Sequence, residues 1–155
     1  MRRILVIHST SDSGVEDRIA RMAAKPELAV YEFQHIYFFL PEYAQELELP
    51  TSSIKPGEFL DQNQLRILQR MTQQVEITHA EMIVMHTGIA FTMAPLAVLN
   101  IISKLKSRFP QMKFAIQEGP ALESTLAAEG PRFTDQVRQI FDRSPETQEI
   151  LKYMF

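Results

Sequence analysis

Two histidines close two apolar runs of the same kind. His8 falls near the end of RILVIHS (3–9), and His86 ends EMIVMH (81–86). Behind His8 comes the run Ser9, Thr10, Ser11, Asp12, Ser13, Gly14; behind His86 comes Thr87, Gly88, Ile89, Ala90, Phe91. Short hydroxyl side chains and a glycine leading into a helix can wrap an anion with hydroxyl and backbone N–H donors. An imidazole beside them can donate to that anion, or act as acid or base near neutral pH. The chemistry these residue types allow is recognition of a phosphate-bearing small molecule, with His8 and His86 on either side of it. Plainer roles stand beside it. Ser13 and Glu16 form an S-x-x-E capping box, and two polar residues at strand ends can simply satisfy each other. A metal is not expected, because two histidines lack a nearby third ligand and Glu118 is the only obvious one.

Positioning these residues requires elements, and the hydrophobic periods supply them. The runs at 3–9, 81–86 and 113–119 are short and near-continuously apolar at their centres, as strands buried on both faces are. LAVYEFQHIYFFL (28–40) predicts another strand, long or bent. Val15, Ile19, Met22 and Ala23 form one helical stripe, closed near Pro26. Leu65, Leu68, Met71 and Val75 form a second stripe over 61–77, with Asp61 and Gln64 as its capping box. Leu96, Leu99, Ile102 and Leu105 form a third over 95–109, opened by Pro95 at the first helical position. Helices are also expected over 131–143 and 144–155, the latter capped by Ser144 with Pro145 behind it. Residues 41–60 hold three prolines and no clean period, so an excursion with at most a short helix is expected there.

Strands that alternate with helices imply parallel pairing and right-handed crossovers. The expected fold class is α/β: a doubly wound, mostly parallel sheet of four to five strands, order 2-1-3-4, with helices on both faces and residues 1–155 as one domain. In such sheets ligands bind beyond the carboxyl ends of the strands, where the strand order switches. Strands one and three are neighbours at that point, so the two histidine loops share a crevice. The loop after the fourth strand adds Glu118 and Gly119.

The loops resemble those of the flavodoxin-like superfamily. ILVIHSTSDSGVEDRIARMA is similar to its first strand, phosphate loop and first helix. HAEMIVMHTGIAFTMAPLAVLNII is similar to its third strand, flavin-contacting loop and following helix, a segment shared with NAD(P)H–quinone and FMN reductases. The resemblance covers residues 1–24 and about 61–119. It implies FMN as cofactor, a three-layer sandwich, and an oxidoreductase or electron carrier; as an enzyme it would be an FMN-dependent NAD(P)H oxidoreductase. On that resemblance Ser9, Thr10, Ser11, Ser13 and Gly14 hold the phosphate. His86, Thr87, Gly88 and Ile89 meet the flavin edge, Phe91 stacks on the ring or fills the core, and Glu118 and Gly119 close the crevice. The family's last hydroxyl position is Glu16 here, and its carboxylate, with Asp12 and Asp17, would repel a phosphate dianion.

Two other functional classes fit the same loops. MHTGIAFTMAP loosely resembles the Thr-Gly loop of CRISPR-associated Rossmann-like sensor domains, which implies a cyclic oligoadenylate ligand; the lack of Lys and Arg in these loops speaks against it. The third class is a cofactor-free interaction domain that keeps the fold.

Bulk properties narrow the field. The chain has 155 residues, 45% of them apolar and 23% charged, the composition of a globular domain. A net charge of −3 argues against a dedicated nucleic-acid binder. The absence of cysteine excludes disulfides, thiolate metal sites and cysteine nucleophiles, and fits the cytoplasm. No segment approaches the ~18 apolar residues of a membrane span, and the start is too short for a signal peptide. No G-x-S-x-G, Walker A, H-E-x-x-H or G-x-G-x-x-G motif occurs. Residues 31–43 carry six aromatics: Tyr31, Phe33, Tyr37, Phe38, Phe39 and Tyr43. One strand face cannot bury so many, so a homodimer through 31–43 is expected, with His35 as a structural residue.

Overall fold

The computed structural model describes residues 1–10, 13–46, 55–86 and 89–155. Its centre is a sheet of four parallel strands: β1 (Arg2–Thr10), β2 (Tyr31–Phe39), β3 (Met82–Met85) and β4 (Lys113–Ile116). Their order is β2-β1-β3-β4. The expected doubly wound α/β class and strand order are therefore what the chain adopts, as a three-layer arrangement.

The sheet is wound by α1 (Ser13–Ala24), a 3-10 turn at Pro26–Leu28, α2 (Pro41–Glu46), α3 (Pro56–Gln62), α4 (Gln64–Thr78), α5 (Ile89–Met93), α6 (Pro95–Arg108), α7 (Pro120–Glu129), α8 (Pro131–Ile140) and α9 (Pro145–Met154). Side chains alternate across each strand, so each strand feeds two cores. Leu5, Ile7, Ile83, Met85, Phe114 and Ile116 face one side and pack with residues of α3 to α8. Ile4, Val6, Met82, Val84 and Ala115 face the other, where Met22 of α1 and Ile150 and Met154 of α9 cover them. This explains the near-continuous apolar runs: β3 is buried at all four positions. Among the described residues, no helix is long and apolar enough to cross a membrane.

Several local expectations change. The helix expected over 61–77 is two helices, broken at Asn63. Asp61 lies inside α3, so it caps nothing; the Gln64 side chain instead donates to the Asp61 carbonyl at 3.2 Å. The strand expected from residue 28 starts at Tyr31, because Pro26–Leu28 makes a 3-10 turn. At α9 the expected cap is present: the Ser144 hydroxyl accepts from the Thr147 N–H at 3.4 Å, with Pro145 behind it. The hydroxyl partner of the Ser13–Glu16 box lies outside what is described. Residues 47–54 of the excursion lie outside it too, but α2 and α3 flank them.

Candidate functional site

Register decides which side chains meet. On β1, Ile4, Val6 and His8 share the face covered by α1 and α9. Val6 is paired with His35 and His8 with Tyr37, so residues 31, 33, 35 and 37 of β2 share that face. Ile4 pairs with Met82 and Val6 with Val84, which brings His86, two residues further on, to the same side. Three histidines thus stand on adjacent strands in one row.

The row is tight. His8 Nε2 lies 2.9 Å from His35 Nδ1, and the two rings stack at 5.2 Å between centroids. His8 also lies 5.4 Å from the Tyr37 ring and 5.9 Å from the His86 ring. The far side of His86 packs on Phe155 at 4.6 Å. His8 and His86 are buried; His35 is half-buried at the sheet edge, and burial pushes its pKa below the ordinary 6.5. The row joins the edge of β2 to the carboxyl end of β3 through a buried imidazole. The His8–His35 pair shares one proton, because one ring donates while the other accepts.

Ser9 points to the opposite face. Its buried hydroxyl accepts a hydrogen bond from the Ala90 N–H at 2.9 Å. This bond ties the end of β1 to the first turn of α5. Thr10 closes β1 opposite Phe39, and Ser13 and Gly14 open α1. His86 donates its backbone N–H to the Ile7 carbonyl at 2.9 Å, extending the β1–β3 ladder by one bond. Ile89 begins α5. Ser11, Asp12, Thr87 and Gly88 lie outside the described residues.

Phe91 is fully buried, edge-on to Phe133 at 6.0 Å between centroids. Its ring belongs to the core between α5 and α8 and gives no face to the crevice. Glu118 is exposed and ion-paired with Arg143. Gly119 caps α7 in an extended conformation, so its backbone needs no glycine. Glu16 and Asp17 are exposed on the first turns of α1. Among the described residues, no three His, Asp or Glu side chains come together as a metal site.

Sequence reasoning singled out His8 and His86 for the crevice and read His35 as a structural residue. The signal for His35 was present: parity along β2 puts it on one face with Tyr37, but only the pairing register shows that this face is the one carrying His8. Compared with protein-family models and with curated proteins, the chain matches none.

Proposed function

We propose that the protein binds a phosphorylated small molecule at the carboxyl ends of β1 and β3, with FMN as that ligand, and serves as an oxidoreductase or electron carrier. The observation that carries this reading is the switch in strand order, where β1 and β3 are neighbours and Ser9 of β1 is bonded to the Ala90 N–H of α5. FMN, when bound, would supply electron-transfer chemistry. The chain would hold its phosphate at the N-terminus of α1, where backbone N–H groups are unsatisfied and the helix dipole favours an anion. Glu16 and Asp17 weaken that end, and Phe91 does not stack on the ring, so ring binding falls to backbone groups of the β3 loop. The histidine row lies under the same crevice and gives it a proton donor or acceptor. The absorption spectrum of the purified protein is the test. A flavin band supports FMN, and a colourless protein that gains no band on mixing with FMN opposes it.

The burial of Phe91 favours a second reading, a colourless sensor of a phosphorylated nucleotide such as a cyclic oligoadenylate. It would bind that nucleotide with no flavin band. Under either reading, two copies associate through β2. This strand is a sheet edge nine residues long, with Tyr31, Phe33, His35 and Tyr37 half-exposed on one face. Long unpaired edges with apolar side chains invite another strand. Sedimentation should find a dimer at tens of micromolar, on the order of ordinary interface affinities; a strict monomer there would remove this part of the proposal.

A further inference from the structure

The outer edge of β2 has a hydrogen-bond parity that fixes how a second strand can meet it. In a parallel pair, alternate residues of a strand turn both N–H and C=O to the same neighbour. On β1, the carbonyls of Arg3 and Ile7 accept from the N–H groups of Glu81 and His86, which flank β3, at 2.9 Å. Odd residues of β1 therefore bond toward β3, and the even ones, such as Ile4 and Val6, bond toward β2. Ile4 stands beside Phe33 and Val6 beside His35. The groups that meet them belong to the residues on either side, Glu32, Gln34 and Ile36. Tyr31, Phe33, His35 and Tyr37 thus turn their N–H and C=O outward, where the sheet ends.

Tyr37 fits this parity. Burial raises the Tyr43 phenol above its ordinary 10.0, and a hydrogen bond with the Tyr37 backbone opposes the rise. Only a donor favours a phenolate, so the Tyr37 N–H donates to the Tyr43 hydroxyl of α2 on the outer side of β2. The outward groups of Tyr31, Phe33 and His35 meet no other strand among the described residues.

We propose that two copies pair along this edge as antiparallel strands, with their two-fold axis at Phe33. The inference rests on the association through β2 given above and adds its register. An isologous contact sets each residue against its symmetry mate. Centring on Phe33 sets Phe33 against Phe33, and Tyr31 against His35 of the second copy. All three outward residues are then used, in about six hydrogen bonds, two for each bonded pair. Centring on Gln34 or His35 would call on Tyr37, whose N–H Tyr43 already holds. Centring on Glu32 would set two carboxylates face to face, which is repulsive. In the Phe33 register Glu32 stands opposite Gln34 of the second copy, an acceptor against an amide donor. Residues 31, 33 and 35 share the face that carries His8. Tyr31 of the second copy therefore comes beside His35, with about 5.5 Å between Cα atoms. The histidine row, open at the sheet edge in one chain, is closed by a residue of the other.

The chain has no cysteine, so single cysteines report the register. At tens of micromolar, on the order of interface affinities, mild oxidation should cross-link Phe33→Cys to itself, because Cα atoms about 5.5 Å apart suit a disulfide. Pairing raises the local thiol concentration, so this reaction should run about tenfold or more above Arg132→Cys, an exposed position on α8 that reports random collision. Tyr31→Cys and His35→Cys should cross-link poorly alone and form a mixed disulfide together. Phe33→Pro should sediment as a monomer with its melting temperature little changed, because an edge strand accepts proline where the N–H faces outward. Should that variant fail to fold, the cysteines still decide. A dimer in which Gln34→Cys reacts faster than Phe33→Cys would overturn the register, as would a dimer in which Phe33→Cys reacts no faster than Arg132→Cys. A wild-type chain that sediments as a strict monomer would remove the association through β2 itself, so the two failures are distinguishable.

Discussion

His8 Nε2 and His35 Nδ1 are 2.9 Å apart across the β1–β2 ladder, one fully buried and the other half-buried at the sheet edge. A hydrogen bond between two imidazoles needs a single proton. Charging either ring would place a cation in a desolvated site beside a second imidazole, and burial already holds His35 below its ordinary 6.5.

The sign of the pH dependence follows. The unfolded chain takes up a proton on His35 at about its ordinary pKa, while the folded protein does so only at lower pH. This contribution to stability is complete above about 6.5, and it declines as pH falls through that value toward the folded pKa. Urea midpoints measured from about pH 8 to pH 5, the range in which histidine titrates, should fall on acidification. His35→Gln should flatten that slope. A midpoint that rises on acidification, or an unchanged slope in the variant, would refute the assignment.

Phe91 is a core residue in this structure, so its removal should register as lost stability. Phe91→Ala should cost about 3–5 kcal/mol, the usual range for emptying a buried aromatic site. Chemical denaturation measures it. A loss under about 1 kcal/mol, the scale of a surface change, would mean that the ring is not packed against Phe133.

Gly57 of α3 is held close to α5. A Cβ added there would sit 2.7 Å from the Met93 carbonyl oxygen, which is backbone and cannot swing away. Gly57→Ala gains about 1 kcal/mol of helix propensity at most, against about 1–3 kcal/mol for overpacking. A lower melting temperature is expected, and a higher one would show that α3 and α5 are not so closely set.

At the start of α9, the Asp142 carboxylate accepts from the Thr147 hydroxyl, the Ser144 hydroxyl and the Ser144 N–H. These bonds hold its pKa below the ordinary 3.8. Its contribution is present above that value and is lost as pH falls through the folded pKa. Ser144→Ala should cost about 1 kcal/mol, typical of a lost N-cap. Asp142→Asn should make unfolding less steep below about pH 4, where carboxylates protonate. Acid titrations that superimpose with the wild type would contradict this.

The sheet was legible because burial on both faces leaves runs such as ILVI and MIVM that few other arrangements produce. Helices with a clear stripe, α1, α4 and α6, were legible for the same reason. Proline misled the reading of shorter ones. Pro56 and Pro120 open α3 and α7, where a missing N–H is harmless, yet each reads from sequence as a break. In α7, PALESTLAAE, small apolar residues leave no contrast between faces. The short α5 falls in what the sequence presents as the loop after the third strand, because five residues are too few to show a period.

The site was half legible. Strand ends bearing His8 and His86 followed from the apolar runs before them. Which imidazole meets which depends on the β1–β2 register, a long-range property that no window of sequence contains. Phe91 could be read as ring partner or core, and only its packing on Phe133 decides.

The central claim is that a phosphorylated ligand, FMN first, binds where β1 and β3 end. Fluorescence titration of FMN with the wild-type protein and with Glu16→Thr measures it directly. Saturable quenching at one flavin per chain is predicted, and Glu16→Thr should bind about five- to tenfold tighter, because removing a like charge near a dianion is worth about 1 kcal/mol or more. No quenching by either protein up to about 1 mM, the weak limit of specific binding, would contradict the flavin reading of these loops.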